Sequence, residues 1–262
     1  MATPRTLVFG DDGSPPADTA WLWINNHRWP DWRVIAVTAR MPELGPPVDP
    51  ELAHPHRWEP TSPRVPFAES GIAEVEHLTC VMDPRLALGD FEPTPDLVVV
   101  GPTGRGVLKA LHLGSTADWL LEDPSAPLVI ARSARRAEHI LVCADGSDHA
   151  QRAAEVLAGL PLVTNAAVMV LGIDDGRADP ASGIARAVPV LEEAGAKVST
   201  VEVSGKPTRT ILDQIDEHDA GLVALGTRGH TSIRRLFVGS TASGVARSAP
   251  CSVLTVTASG AG

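Results

Sequence analysis

The 262-residue chain lacks several features that define whole classes of protein. Its three cysteines, Cys80, Cys143 and Cys251, are scattered, lie mostly in apolar runs and lack the spacing of a zinc site. We therefore expect buried free thiols in a reducing compartment. No apolar run approaches the roughly 20 residues of a membrane helix, and residues 1–5 do not resemble a signal peptide. These absences predict a cytoplasmic location.

Positive charge is also scarce. The chain has 22 Lys and Arg against 32 Asp and Glu, which gives a net charge of −10. Nucleic acids and anionic membranes are bound by basic surfaces, so neither is expected as a partner. The hydrophobic content of 44% and the charged content of 21% are typical of a globular protein rather than a disordered one.

One glycine pattern, Gly-x2-Gly-x9-Gly-Ser, occurs twice, 125 residues apart. Its members are Gly101, Gly104, Gly114 and Ser115 in the first copy, and Gly226, Gly229, Gly239 and Ser240 in the second. Each copy follows a short apolar run that is typical of a buried strand. A glycine turn that leads from such a strand towards a helix suits a polyphosphate, because backbone N–H groups can approach the anion and the helix start adds a positive partial charge.

Two further matches extend the repeat to a whole domain. Asp12-Gly13-Ser14 corresponds to Asp145-Gly146-Ser147, and each follows a short apolar run. Two Ala-Pro pairs precede hydrophobic closing strands, expected at 128–131 and 252–256. The repeat predicts two domains, at residues 1–133 and 139–262.

Strand and helix patterns alternate along the second copy, which predicts a parallel sheet with helices on both faces. Ligands of such sheets bind beyond the carboxyl ends of the strands. Because the Asp-Gly-Ser turn and the glycine pattern both follow strands, they meet if those strands are neighbours.

The first copy is less regular. Eight prolines between residues 41 and 66 disfavour a long helix there. We expect an irregular loop with extended pieces, which is either a lid, an interface arm or a tolerated surface insertion. Five of the six tryptophans, Trp21, Trp23, Trp29, Trp32 and Trp58, lie in the first 60 residues, and we expect them to serve packing.

These motifs resemble the universal stress protein family in its tandem form, with two such domains in one chain. The resemblance covers nearly the whole sequence except the proline-rich stretch. It implies an α/β fold of two open, twisted, parallel five-stranded sheets, each in the order 3-2-1-4-5, with helices on both faces. It also implies that the closing strands pair, which would make the chain an internal pseudo-dimer. Association into a homodimer is left open.

The ATP-binding branch of that family uses this glycine pattern, so the resemblance implies an adenine nucleotide, ATP with or without Mg²⁺, as the ligand. Asp12 and Asp145 would lie beside the adenosine end, and the paired glycines would line the ribose and the first phosphate. The Gly-Ser pairs, with Thr116 and Thr241, would hold the outer phosphates. The implied ligand residues are Asp12, Gly101, Gly104, Gly114, Ser115 and Thr116 in the first copy, and Asp145, Gly226, Arg228, Gly229, Gly239, Ser240 and Thr241 in the second.

The first copy departs from the pattern at two places. Pro102 removes one N–H group from the glycine turn. Asp11 and Asp12 place two carboxylates together, which would repel phosphate unless a metal ion or a lysine intervenes. Arg228 adds a cation within the second motif, so we expect the second site to be the stronger one.

Three functions remain open at this point. The sequence favours an ATP-binding regulatory protein of stress response, in which the nucleotide acts as a switch or a structural ligand for an unidentified protein partner. The first alternative is a slow ATPase or nucleotidyl-transfer enzyme, although the chain has neither a P-loop nor a Gly-x-Ser-x-Gly motif and no assignable catalytic residue. The second is a nucleotide-free interaction module.

Overall fold

A computed structural model of the chain describes residues 4–41, 59–60, 64–104, 113–228 and 238–258. Its first half contains the following elements in chain order: β1 (Arg5–Gly10), α1 (Pro15–Asn26), β2 (Trp32–Arg40), β3 (Glu59–Pro60), β4 (Glu74–Val81), α2 (Pro84–Gly89), β5 (Leu97–Val100), α3 (Ser115–Glu122) and β6 (Leu128–Ile130). The second half contains β7 (His139–Cys143), α4 (Asp148–Ala158), β8 (Ala167–Asp174), α5 (Pro180–Glu193), β9 (Lys197–Ser204), α6 (Pro207–Glu217), β10 (Leu222–Gly226), α7 (Ser240–Ser248) and β11 (Ser252–Val256).

The described strands form one sheet in the order β3-β4-β2-β1-β5-β6-β11-β10-β7-β8-β9. Apart from the two-residue strand β3, the strands of each half are parallel and run in the order 3-2-1-4-5. β6 and β11 pair antiparallel, with Leu254 opposite Val129. The expected pairing of the closing strands is therefore confirmed, and it joins the two expected five-stranded sheets into a single sheet.

Apolar residues cover both faces of this sheet, as buried parallel strands require. Along β1, for example, Leu7 packs on one face and Val8 on the other. Four of the clustered tryptophans are buried on the α1 face, namely Trp21, Trp23, Trp29 and Trp32. Their predicted packing role is confirmed, whereas Trp58 lies outside the described residues. Each of the three cysteines is free, as expected; Cys80 and Cys251 are also buried as expected, whereas Cys143 is partly exposed.

The helices α1 and α4, which follow the two Asp-Gly-Ser turns, begin in the same way. Ser14 accepts a hydrogen bond from the Ala17 N–H at 3.3 Å, and Ser147 accepts one from the Ala150 N–H at 3.2 Å. Serine is a favoured N-cap because it satisfies one of the N–H groups that a helix start leaves without a partner. The same serine in both turns therefore places an equivalent helix beside β1 and β7.

The halves differ between their second and third parallel strands. In the second half, α5 packs on the turn after β7 so closely that a Cβ on Gly183 would lie 2.6 Å from the Gly146 nitrogen. In the first half, the described part of the corresponding segment holds the short strand β3 on β4 and a 3-10 turn at Ala68–Ser70. This agrees with the expected extended pieces. The segment from 42 to 58 lies outside the described residues.

Candidate functional site

The glycine turns occupy the carboxyl ends of β5 and β10, where the sequence places them. Gly226 ends β10, and the Gly239 N–H donates a 2.7 Å hydrogen bond to the Thr227 carbonyl. In the first half the Gly114 N–H donates to the Pro102 carbonyl at 2.8 Å. The same bond therefore ties the start of the following helix to the glycine turn in both halves, and Pro102 does not disturb it.

The leading glycine of each turn is required by packing alone. A Cβ on Gly226 would lie 2.5 Å from the carbonyl carbon of His149, and one on Gly101 would lie 2.8 Å from that of Pro16. Real Cβ atoms do not approach backbone this closely, so a larger residue would push the helix start away from the strand. These two glycines thus let α4 and α1 lie against the neighbouring strands, whatever ligand binds.

The aspartate turns lie beside the glycine turns, because β7 neighbours β10 and β1 neighbours β5. Asp145 accepts the Ser147 N–H at 2.9 Å, and the Ser147 hydroxyl donates to the Arg228 carbonyl at 3.4 Å. In the first half, a Cβ on Gly104 would lie 2.5 Å from an Asp12 carboxylate oxygen. The predicted meeting of the two motifs is confirmed in both halves.

The helices α7 and α3 begin directly at the glycine turns, with Gly239 and Gly114 as their N-caps. Neither N-cap residue supplies a side-chain hydrogen bond to its helix, in contrast to the serines that begin α4 and α1. The first N–H groups of an α-helix have no partner within the helix. Both helix starts therefore present N–H donors and a positive partial charge that suit an anion.

One cavity in the second half is lined by most of the residues singled out from the sequence. These are Asp145, Gly226, Arg228, Gly239, Ser240 and Thr241. Gly229 lies outside the described residues. Apolar side chains form another part of the lining, among them Ile173 and Ile211. The cavity thus combines an anion-binding end with an apolar wall.

The matching cavity in the first half is lined by all six residues singled out there, namely Asp12, Gly101, Gly104, Gly114, Ser115 and Thr116. Asp11, Thr38 and His77 also line it. Spacing in the sequence did not reveal His77, which comes from β4 and lies 2.7 Å from the Thr38 hydroxyl through its Nε2 atom. It reaches the cavity because β4 pairs with β2.

Arg64 is the largest feature that sequence reasoning missed. Its guanidinium donates from two nitrogens to the two carboxylate oxygens of Asp11, each at 2.6 Å, and a third nitrogen lies 2.9 Å from Asp18. No local pattern could have indicated this pair, because 53 residues separate Arg64 from Asp11. The proline-rich region therefore supplies a cation for Asp11, in place of the metal ion or lysine considered from the sequence.

Two titratable groups beside the second cavity are held in their neutral forms. Burial raises the pKa of the Cys143 thiol well above its usual range, with a further contribution from the charge of Asp145. Burial and the nearby Arg228 charge lower the pKa of His149, whose Nδ1 accepts the Ala258 N–H at 2.9 Å. Neither group is a cation at neutral pH, so the positive charge at the cavity comes from Arg228, from the exposed Arg177 and from the start of helix α7.

The described residues contain no group of three or more His, Cys, Asp or Glu side chains arranged to hold a metal ion. Within the same ranges, none of the helices has the length and apolar character needed to cross a membrane.

Comparisons with known proteins agree with this architecture. The model of the universal stress protein family matches residues 137–257. A universal stress protein from Thermus aquaticus is 33% identical over 132 residues, which cover 45% of this chain and 96% of that protein. One from Synechocystis is 28% identical over 182 residues, 68% of this chain, and the match spans only 61% of that relative's length.

Among solved structures, a universal stress protein from Archaeoglobus fulgidus superposes over 97% of this chain and 96% of its own, with a TM-score of 0.67 and 19% identity. At this identity the likeness concerns the fold, and it extends over both halves. The family match in the second half and the near-complete coverage of the Thermus aquaticus relative concern sequence as well. The chain belongs to the universal stress protein family.

Proposed function

We propose that this chain binds an adenine nucleotide, ATP accompanied by Mg²⁺, in the cavity of its second half. The observation that carries the proposal is the meeting of Asp145, the Gly226 turn and the start of α7 in one cavity. Because Gly239 offers no side-chain cap, the first N–H groups of α7 are available to phosphate oxygens.

Each part of the cavity has a chemical counterpart in the nucleotide. Asp145 would accept hydrogen bonds from the adenosine end, and the Gly226 turn would follow the ribose and first phosphate. Ser240, Thr241 and the α7 N–H groups would hold the outer phosphates. The apolar wall suits a flat base. Mg²⁺ would be held mainly by the phosphates and water, in line with the lack of a ligand cluster in the described residues.

The first-half cavity would bind the same ligand through Asp12, Gly101, Gly104, Gly114, Ser115 and Thr116. Its glycine turn and its helix start repeat those of the second half, which supports a second site. We further propose that residues 1–133 and 139–262 act as two domains with one site each.

The bound nucleotide would act as a switch or a structural ligand. It would stabilise the folded chain by mass action, and a protein partner in a cytoplasmic stress response would recognise the occupied form.

Two matched variants test the proposal, Ser240→Glu in the second half and Ser115→Glu in the first. Both residues are exposed at a helix start, where a carboxylate favours the helix but repels phosphate. We expect two ATP equivalents per native chain by isothermal titration calorimetry with Mg²⁺, and each variant should lose one.

Release of the ligand by denaturation, followed by mass spectrometry, would identify what the purified protein carries. An absence of ATP binding in both the native chain and the variants would favour the nucleotide-free interaction module. Steady phosphate release that Ser240→Glu abolishes would instead favour the slow ATPase.

A further inference from the structure

The floor of the first cavity carries a charge that the second cavity does not have. The Asp11 N–H donates to the Val37 carbonyl, and the Ala144 N–H donates to the Leu171 carbonyl, both at 2.9 Å. Each residue directly precedes an Asp-Gly-Ser turn. Asp11 therefore stands where the second half has Ala144. Its side chain is only 4% exposed, and it lines the cavity together with the next residue, Asp12.

Arg64 meets this carboxylate in a fixed geometry. Besides its two bonds to Asp11 and its contact with Asp18, its guanidinium lies 5.6 Å from the centre of the Phe9 ring and 6.0 Å from that of Trp21. A planar guanidinium that is held by these rings and by two carboxylates loses little further freedom when it forms such a paired bond. Burial opposes the charge of Arg64, but its bonds to the two aspartates raise the pKa of its guanidinium above the usual value.

We propose that Arg64 is the positioning residue that allows the first cavity to accept an anionic ligand, because it cancels the charge of Asp11. This inference rests on the proposed nucleotide binding. Without Arg64, two adjacent carboxylates would line the cavity that also contains the start of α3. The repulsion between a buried carboxylate and a phosphate is much stronger than it would be in water. The second cavity needs no such cation, because Ala144 is uncharged.

The other charged groups around Asp11 do not replace Arg64. The His77 Nε2 atom lies 3.8 Å from the Asp11 carboxylate, but its 2.7 Å contact joins it to the Thr38 hydroxyl. Arg40 also lines the cavity, but it is exposed, so water and salt screen its charge. Asp18 adds a second negative charge on the far side of Arg64.

The test is the number of ATP equivalents that the full chain binds, measured by calorimetry with Mg²⁺. We expect two for the native chain. Arg64→Ala should weaken binding in the first half by at least about tenfold and leave the second half unchanged. The double variant, Asp11→Ala with Arg64→Ala, has no charge at this position, as in the second half. It should again bind ATP in the first half. Arg64→Lys keeps the charge and should retain most of the binding.

A matched control is Arg33→Ala, because Arg33 also forms ion pairs within the first half, with Glu74 and Glu76, but lies at the amino end of β2. Arg33→Ala should still bind two ATP equivalents per chain. Circular dichroism of each variant separates loss of binding from loss of fold.

Each outcome bears on the inference or on the proposed function separately. No binding by the native chain overturns the proposed function itself. Two full equivalents for Arg64→Ala, or only one for the native chain, overturn the role of Arg64 alone. If the double variant does not regain the first-half equivalent, Arg64 acts only as a structural anchor and its electrostatic role is wrong.

Discussion

The two halves form matching cavities, but different structures pack against the Asp-Gly-Ser turn of each. In the second half, helix α5 lies against the Asp-Gly-Ser turn, where Gly183 allows backbone contact and Arg186 donates to the Gly146 carbonyl at 3.1 Å. In the first half, the described residues place Arg64 against the matching turn, and its charge meets Asp11. A packed helix and a buried ion pair thus hold equivalent turns in equivalent positions.

The comparison separates what the cavity requires from how it is supported. Both halves keep the glycine that lets the helix start approach the strand, the serine that caps this helix, and the glycine that leaves the next helix uncapped. These features form the cavity. The helix or ion pair that lies against it is replaceable, provided that any buried charge is matched.

The largest expected effect comes from removing one partner of that ion pair. Arg64→Ala leaves the carboxylate of Asp11 buried without its cation, and losing one partner of a buried pair costs about 3–5 kcal/mol. Asp11→Ala with Arg64→Ala should cost clearly less, because no charge is left behind. Urea unfolding of both variants measures the difference. Equal losses would show that the pair acts through packing rather than charge.

Acid should weaken the region where the halves meet. His27 donates from Nδ1 to the Trp23 carbonyl at 2.7 Å, and its Nε2 accepts the N–H of Ala137. Ala137 belongs to the link between the halves. Burial is the main reason why the pKa of His27 is lowered to about 4; the bond to the Trp23 carbonyl opposes this shift, and the nearby charge of Arg136 adds to it.

Because the folded chain holds His27 neutral, its contribution to stability is complete above pH 6.5 and is lost as the pH falls towards 4. The loss should reach about 3 kcal/mol. His27→Gln should be less stable at pH 7 but should lack this part of the pH dependence in unfolding experiments between pH 7 and 4.5. His139 is exposed, so His139→Gln is the control and should show the same fall in stability with pH as the native chain. If His27→Gln showed that same fall, the pH dependence would not come from His27.

The leading glycines should respond alike in the two halves. Gly226→Ala and Gly101→Ala each place a Cβ within 2.8 Å of the backbone of a neighbouring helix. We expect each to lower the free energy of unfolding by about 2 kcal/mol. Gly114→Ala, where the nearest atom lies 3.3 Å from the new Cβ, should cost much less. Thermal unfolding measures the loss of stability in the three variants. A small loss for Gly226→Ala beside a large one for Gly101→Ala would show that the two glycines are not equivalent.

The smallest effect is expected at the helix caps. Ser14→Ala and Ser147→Ala each remove one hydrogen bond at a helix start, worth about 1 kcal/mol. The two variants should therefore shift the urea midpoint equally. Ser147→Ala also loses the 3.4 Å bond to the Arg228 carbonyl, and a much larger loss there would show that this longer bond contributes.

Local patterns predicted most of the fold. The repeated glycine and Asp-Gly-Ser motifs located the carboxyl ends of four strands, and the Ala-Pro pairs located β6 and β11. The helix α5 begins at Pro180, four residues before the apolar periodicity begins at Ile184, because Asp179 caps it. A capping aspartate followed by proline is a recognisable start signal.

The ion pair that packs against the first cavity could not be predicted in this way. Arg64 belongs to a proline-rich stretch without periodicity, and its partner is 53 residues away. An ion pair of this kind depends on the path of the chain between its members. Likewise, His77 joins the cavity only through the pairing of β4 with β2. Such long-range contacts leave no local signature in a single sequence.

The antiparallel pairing of β6 with β11 has a consequence for how the protein responds to dilution. Separate single-domain chains that paired through such strands would associate in proportion to their concentration. Here both strands belong to one chain, so the pairing is intramolecular and acts at a constant effective concentration. Dilution therefore cannot separate the halves, and two apolar strand edges that would otherwise invite aggregation are permanently covered.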